Sequence, residues 1–160
     1  MRQYTFLGFA LAASLALGAL VAPHTPVRAA TQQPAAMQVV TTYQQALTVG
    51  MESGDLSAVA ALYALDATVT FSTPGGVTTV FRGRPAIAGF YRRLHQMVPG
   101  FHWAQDSTRM LSPTVVLSYE HPVTPGGQSA GHCAHLFVTQ GGQIESLDWV
   151  VYHQVVPHKL

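Results

Sequence analysis

Two long β-rich runs that meet at Gly141-Gly142 constrain the fold of this chain more than any other feature of its sequence. The first run is "GHCAHLFVTQ" (131–140), and the second is "QIESLDWVVYH" (143–153). Two glycines between such runs are a strong signal for a two-residue hairpin turn, because both turn positions require a positive φ. The sequence therefore predicts an antiparallel hairpin here, and the rest of the chain must supply the sheet that it joins.

Pairing Gln140 with Gln143 sets the predicted register of this hairpin, and it places His135 opposite Asp148. Successive side chains on a strand point to opposite faces of the sheet. One face is then predicted to carry Cys133, His135, Phe137, Ile144, Ser146, Asp148, Val150 and Tyr152. The other is predicted to carry His132, Ala134, Leu136, Val138, Glu145, Leu147, Trp149 and Val151.

The histidines and the cysteine of this hairpin allow several interpretations. On a strand His132 and His135 point to opposite faces, so a local His-x-x-His metal site is not predicted, and we expect neither metal nor cofactor. Histidines on other strands could still assemble a site in space. Cys133 is expected to be a small buried hydrophobe rather than a nucleophile. The His135–Asp148 pair could prepare a general base, or it could be a polar pair on an outer sheet surface.

The preceding chain predicts three helices and two further pairs of strands. A helical period from Met37 and a second helix after Asp55 precede strands at 67–72 and 77–82, and a third helix follows Gly83. Two more strands come before the hairpin, which gives the order α-α-β-β-α-β-β-β-β. This order predicts an α+β fold with three helices packed on a curved antiparallel sheet. The predicted core stripes of the helices are Val40, Tyr43, Leu47 and Met51; Leu56, Val59, Ala60 and Tyr63; and Ile87, Phe90, Tyr91 and Leu94.

The N-terminus is typical of an export signal. Arg2 precedes an uncharged run from residue 6 to 21, and Val27-Arg28-Ala29 places small residues at the positions before a cut. We expect residues 1–29 to be a signal peptide, 30–36 a flexible leader, 37–156 the folded domain and 157–160 a tail. The protein would then be periplasmic or extracellular. The alternative, a retained membrane anchor, requires a span of about 20 apolar residues, which this run does not reach.

The charge of the chain argues against a nucleic-acid partner, and its cysteine content excludes an intramolecular disulfide. The chain has eight Lys and Arg against seven Asp and Glu, and loss of Arg2 and Arg28 with the leader would leave six against seven. No basic stripe is present, so nucleic acid is not an expected partner. With one cysteine, no intramolecular disulfide can form, and we expect the core alone to hold the domain together.

Three stretches, "GDLSAVAALYALDATVTF", "FRGRPAIAGFYRRL" and "GGQIESLDWVVY", together resemble the nuclear transport factor 2-like superfamily. Within it, the chain resembles the SnoaL-like polyketide cyclases and ketosteroid isomerases, over residues 39–153. The resemblance implies a cone formed by a bent sheet and three helices, with an apolar pocket inside. It also implies frequent dimerisation. We expect a homodimer through the outer sheet face, where the predicted register places Cys133, Phe137, Val150 and Tyr152.

The resemblance implies no ketosteroid isomerase activity. Matching Gly54-Asp55 to that family places its general base at Phe71 and its oxyanion-hole tyrosine at Leu47, and its second oxyanion donor falls at Ala134. All three are apolar, whereas the reaction needs a carboxylate base and two acidic donors.

For the cyclases, the same resemblance places the catalytic aspartate at Trp149, or at Asp148 if a β-bulge shifts the last strand. The expected function is an exported domain that binds a small hydrophobic or aromatic molecule. The alternative is an acid/base enzyme that uses Asp148 with His135 or His132. With the unshifted register, the expected pocket residues are Leu47, Tyr63, Phe71, Ala134, Leu136, Leu147 and Trp149.

Overall fold

The computed structural model describes residues 33–153, and the predicted signal peptide and C-terminal tail lie outside the described residues. The predicted order of helices and strands is confirmed. The elements are α1 (Ala35–Ser53), α2 (Ser57–Ala61), β1 (Tyr63–Ser72), β2 (Thr78–Arg82), α3 (Arg84–Met97), β3 (His102–Ser112), β4 (Val115–Val123), β5 (His132–Gln140) and β6 (Gln143–His153). Within this part of the chain, no helix combines the length and apolar character that crossing a membrane requires.

The six strands form one curled, unclosed sheet in the order β2-β1-β6-β5-β4-β3. All neighbouring strands are antiparallel except β1 and β6, which run parallel. The final strand thus returns to the middle of the sheet beside β1 rather than extending the meander at an edge. This position gives β6 two neighbours, and its inward side chains lie at the centre of the core.

The helices pack on the sheet through the faces that their apolar spacing predicts. Every residue of the three predicted core stripes is buried, although Tyr63 is the first residue of β1 and not part of a helix. Gly54 caps the C-terminal end of α1: its backbone is left-handed, with a φ of 82°, and its N–H donates to the carbonyl of Gly50. Asp55 Oδ1 then accepts a bond from the N–H of Ser57, the first residue of α2. Each large apolar side chain buried in this way contributes roughly 1.5–3 kcal/mol.

The β5–β6 hairpin turns at Gly141 and Gly142 as predicted, with φ values of 57° and 80°. Its register, however, differs from the prediction. Thr139 pairs with Ile144, but Val138 pairs with Ser146, so Glu145 is a β-bulge without an opposite residue. From Val138 to Cys133 every pair is displaced by one residue, and a second shift then pairs His132 with His153.

The bulge reverses the predicted orientation of β5. His135 pairs with Trp149 and not with Asp148, so the predicted cross-strand His135–Asp148 pair is wrong. Cys133, His135 and Phe137 are buried inside the sheet, whereas Ala134 and Leu136 are half-buried on the outer face, away from the predicted pocket. On β6 the prediction of inward Leu147 and Trp149 is confirmed, and Asp148 is exposed on the outer face.

Candidate functional site

An apolar cavity of about 260 Å³ lies between the C-terminal end of α3 and the inner face of the sheet. We call it the aromatic cavity. Its walls come from β1, α3, β3, β6 and the ends of β4 and β5, so segments distant in sequence converge on it. It is lined by Phe71, Leu94, Val98, Phe101, Trp103, Pro122, Ala130, Gly131, Cys133, Trp149 and Val151.

Trp149 is the central side chain of the cavity wall. Its ring packs nearly perpendicular to those of Phe71, Phe90 and Trp103, with centroids 5.5, 5.7 and 5.8 Å away. Edge-to-face contacts of this kind hold aromatic rings in fixed orientations. The indole Nε1 atoms of Trp103 and Trp149 are buried and have no hydrogen-bond partner among the described residues. The wall is therefore rigid and apolar, with two donors whose bonding capacity is unused.

A charged pair lies immediately behind this wall. The His135 ring is 4.5 Å from that of Trp149, and His135 Nδ1 is 3.3 Å from Glu120 Oε2. These two atoms are within ion-pair distance but are not aligned for a hydrogen bond. The other oxygen, Glu120 Oε1, accepts hydrogen bonds from Gln44 Nε2 at 2.7 Å and from Ser118 Oγ at 2.9 Å. The carboxylate is thus held by α1 and β4 and faces an imidazole from β5.

Mutual attraction favours the charged form of both groups. Burial alone raises the pKa of Glu120, but the charge of His135 and hydrogen bonds from Gln44 and Ser118 lower it to about 2. Burial alone lowers the pKa of His135, but the negative charge of Glu120 raises it to about 9. A carboxylate and an imidazolium therefore share the interior near neutral pH.

Three tyrosine hydroxyls form a second buried polar group. The hydroxyl of Tyr91 is 2.9 Å from that of Tyr43 and 2.6 Å from that of Tyr63. Burial raises the pKa of all three side chains well above 10, so they remain neutral. Tyr43 also packs edge-on against His135, with ring centroids 6.5 Å apart. The hydroxyls from α1, β1 and α3 thus link the helices to the sheet.

The family follows from the sequence comparison. The model of the SnoaL-like domain matches residues 40–147, which include α2, α3, the first five strands and most of α1. The chain belongs to the SnoaL-like domain family. No curated protein matches it.

Solved structures share the fold of this SnoaL-like domain at low sequence identity. An Agrobacterium tumefaciens protein, proposed to be an isomerase of the SnoaL-like family, is 13% identical with a TM-score of 0.60, covering 75% of this chain and 99% of that chain. A proposed polyketide cyclase from Sinorhizobium meliloti is 15% identical with a TM-score of 0.55, covering 70% and 93%. A nuclear transport factor 2-like protein of unknown function from Mesorhizobium loti is 16% identical with a TM-score of 0.58, covering 75% and 95%.

The predicted pocket residues of this SnoaL-like domain separate into three groups. Phe71 and Trp149 line the aromatic cavity. Leu47, Tyr63 and Leu147 are buried in the core but do not line the cavity. Ala134 and Leu136 on β5 lie on the outer face because of the bulge at Glu145. Three positions were matched to functional residues of the ketosteroid isomerases. Only Phe71, matched to the general base, lines the cavity.

The residues predicted for catalysis are not brought together. His135 is buried beside Glu120, Asp148 is exposed on the outer face of β6, and His132 is half-buried on the outer face of β5. Sequence reasoning missed Glu120. One signal could have found it: Glu120 alternates in phase with Val116 and Ser118 along β4, and both of these are buried.

A larger cleft of about 500 Å³ lies between α2 and α3, outside the core of the SnoaL-like domain. Its lining includes the exposed residues Asp55, Leu65 and Arg92. The Arg84 Nε at its border already donates to the carbonyl of Tyr63 at 2.9 Å. The aromatic cavity is lined by buried and half-buried apolar groups, so a hydrophobic ligand would lose more contact with water there than in the cleft. We therefore take the aromatic cavity as the candidate site.

Proposed function

We propose that this SnoaL-like domain binds a small, neutral, hydrophobic or aromatic molecule in the aromatic cavity. The observation that carries the proposal is the lining, which brings Phe71, Phe101, Trp103 and Trp149 together with aliphatic side chains around about 260 Å³. Ligand pockets combine such apolar walls with a few polar groups that fix orientation. Transfer of an aromatic molecule from water to these walls is favourable by roughly 25 cal/mol per Å² of apolar surface buried.

The size and the unused donors of the cavity narrow the class of ligand. Its volume lies just below the range of about 300–1,000 Å³ for sites that hold drug-sized molecules, so a ligand of one or two rings fits best. The unpartnered indole N–H groups of Trp103 and Trp149 would favour a ligand with a hydroxyl or carbonyl oxygen as acceptor.

Binding without turnover is the primary proposal because the charged pair is not part of the lining. Trp149 and Cys133 line the cavity, whereas His135 and Glu120 do not. A general acid or base must come within hydrogen-bond reach of its substrate. Asp148 is exposed on the opposite face of the sheet and has no described contact with the cavity.

A second candidate function is acid/base catalysis by His135 and Glu120, in place of Asp148. It is favoured by the shifted protonation of the pair, since displaced pKa values are frequent at active sites. The Nε2 atom of His135 is buried and lacks a hydrogen-bond partner among the described residues, so it could serve a substrate that displaced the Trp149 ring. The protonated imidazole of His135 would then act as the general acid.

Tryptophan fluorescence tests the binding proposal directly, because the chain has two tryptophans and both line the cavity. Titration with 2-naphthol, a two-ring probe with one hydroxyl, should change the emission and saturate at one molecule per chain. Ala130→Leu, which adds volume to the lining, should weaken binding at least about tenfold.

Ala134→Leu is the matched control, because Ala134 is also half-buried but lies on the outer face of β5. Its naphthol affinity should equal that of the wild type. Equal weakening by both substitutions, or emission that does not saturate, would refute binding in the cavity. The second candidate requires conversion of the bound molecule, and it would be rejected if bound ligands are always recovered unchanged.

A further inference from the structure

An independent group of potential ligands lies on the outer face of the sheet, opposite the aromatic cavity. It consists of Asp106 on β3, His121 on β4 and His132 on β5, and we call it the two-histidine cluster. One ligand atom from each residue lies within 4.8 Å of the others. His121 Nδ1 is 2.8 Å from Asp106 Oδ1, and His132 Nδ1 is 3.8 Å from Asp106 Oδ2.

Strand register explains why these three side chains meet. Glu120 pairs with Cys133, so the next positions, His121 and His132, face each other across β4 and β5, and their rings are 5.9 Å apart. On β3, Asp106 is the extra residue of a β-bulge, because Gln105 pairs with Glu120 and Ser107 pairs with Tyr119. Bulges redirect side chains and are frequent beside functional sites.

We propose that the two-histidine cluster binds a divalent transition-metal ion of the zinc class. Two imidazoles and one carboxylate are a donor set that suits Zn²⁺ and leaves a coordination position open for water or another ligand. Zn²⁺ bonds to these atoms are about 2.0–2.2 Å long, so two ligand atoms on a tetrahedral ion lie roughly 3.3–3.5 Å apart. The distances of 2.8 and 3.8 Å bracket this value.

The surroundings of the cluster allow an ion to enter and hold one ligand in place. In the single chain, the side chains of His121, Asp106 and His132 are 25%, 39% and 43% exposed, so an ion reaches them directly from solvent. Tyr152 on β6 stacks on the His132 ring, with planes 18° apart, and restricts its rotation. The ring nitrogen of each histidine that binds the ion must carry no hydrogen, so the other nitrogen of that ring carries it.

Isothermal titration of the untagged, metal-free full chain with Zn²⁺ alone tests this site. The expected result is saturation at one zinc ion per chain. His121→Ala, His132→Ala and Asp106→Asn should each raise the Kd about 100-fold or more, since even the loss of an outer partner of a metal ligand costs 10–100-fold. Circular dichroism should show each variant folded.

His102→Ala is the matched control, because His102 also lies on β3 but is not part of the cluster. Its Kd should stay within about twofold of the wild type. Failure to bind Zn²⁺, or unchanged binding in the His121→Ala/His132→Ala double variant, would overturn the proposal and reduce the cluster to a hydrogen-bonded surface group. Because the cluster and the cavity lie on opposite faces, this result leaves the naphthol experiment unaffected.

Discussion

Glu120 and His135 place opposite charges 3.3 Å apart in the interior of the domain, where 1% or less of either side chain is exposed. The folded pKa of His135 is about 9 against an ordinary 6.5, so its contribution is complete below pH 6.5 and is lost as the pH rises through 9. The folded pKa of Glu120 is about 2 against 4.5, so its contribution is complete above pH 4.5 and is lost as the pH falls through 2.

The first prediction is a plateau in the free energy of unfolding between about pH 4.5 and 6.5, with losses on both sides. Each loss should be on the order of 3 kcal/mol, because each pKa differs from its ordinary value by between two and three units and one unit corresponds to about 1.4 kcal/mol. The acid and alkaline losses are not additive, because both report the same Glu120–His135 attraction. Urea unfolding at a series of pH values measures this profile. Increasing stability from pH 7 to 9 would contradict the assignment.

Glu120→Gln should cost about 3–5 kcal/mol at pH 6, because it removes the carboxylate whose attraction stabilises the charged form of His135 in the interior. It should also remove the decline toward pH 9, since His135 would then be neutral in the folded protein. Glu52→Gln on the exposed face of α1 is the matched control and should stay within about 0.5 kcal/mol of the wild type.

The three tyrosine hydroxyls give a second, graded prediction. Tyr91 is the shared partner, so Tyr91→Phe removes both hydrogen bonds and leaves two buried hydroxyls unsatisfied, at roughly 1–3 kcal/mol each. Tyr43→Phe removes one bond and leaves the Tyr63–Tyr91 bond intact, so it should cost only about 0.5–1.5 kcal/mol. Urea unfolding of both variants provides the measurement. A larger loss for Tyr43→Phe would contradict this arrangement.

Trp149 and Asp148 are neighbours in sequence that point to opposite faces, and this contrast gives a third prediction. Trp149→Phe should weaken 2-naphthol binding about 3- to 10-fold, because an aromatic contact contributes about 0.5–1.5 kcal/mol beyond the area it buries. Asp148→Asn should change neither the affinity nor, beyond about 0.5 kcal/mol, the stability.

The Asp148→Asn variant also distinguishes binding from the enzyme alternative. If Asp148 were a general acid or base, its substitution would lower turnover of a converted ligand by about 100-fold or more without loss of binding. The exposed position of Asp148 leads us to expect no such effect.

The sequence predicted the elements of this fold well because each carries a local signal. Apolar residues at helical spacing identified the buried faces of α1 and α3, and Gly141-Gly142 identified the hairpin turn. The family resemblance was equally local, since the characteristic stretches are contiguous. Elements and their order therefore followed from the sequence.

The candidate site was not predictable in the same way, because it depends on one bulge. Glu145 carries no pattern that separates a bulged residue from a paired one, yet its bulge moves His135 from the outer face to the interior. With His135 placed outside, nothing drew attention to Glu120 on β4. The ion pair also depends on the register between β4 and β5, which joins residues separated by a long turn.

The outer face of the sheet carries the fourth prediction, which is homodimerisation through β4, β5 and β6. Val150 and Tyr152 are 41% and 52% exposed, and Leu117 and Leu136 lie half-buried beside them on the same face. Cys133 and Phe137, which the sequence placed there, are buried inside instead and cannot contribute. Exposed apolar side chains grouped on one face of a sheet are frequent at protein contacts.

Sedimentation equilibrium at micromolar concentration should therefore give the mass of a dimer. Val150→Lys should shift it to the monomer, because each protomer would bury a charge in the apolar contact. Val80→Lys is the matched control: Val80 is 45% exposed on the edge strand β2, at the opposite part of the sheet from β4 and β5. It should leave the dimer intact. A wild-type protein that sediments only as a monomer, or a dimer that both lysine variants disrupt equally, would show that this face is not the interface.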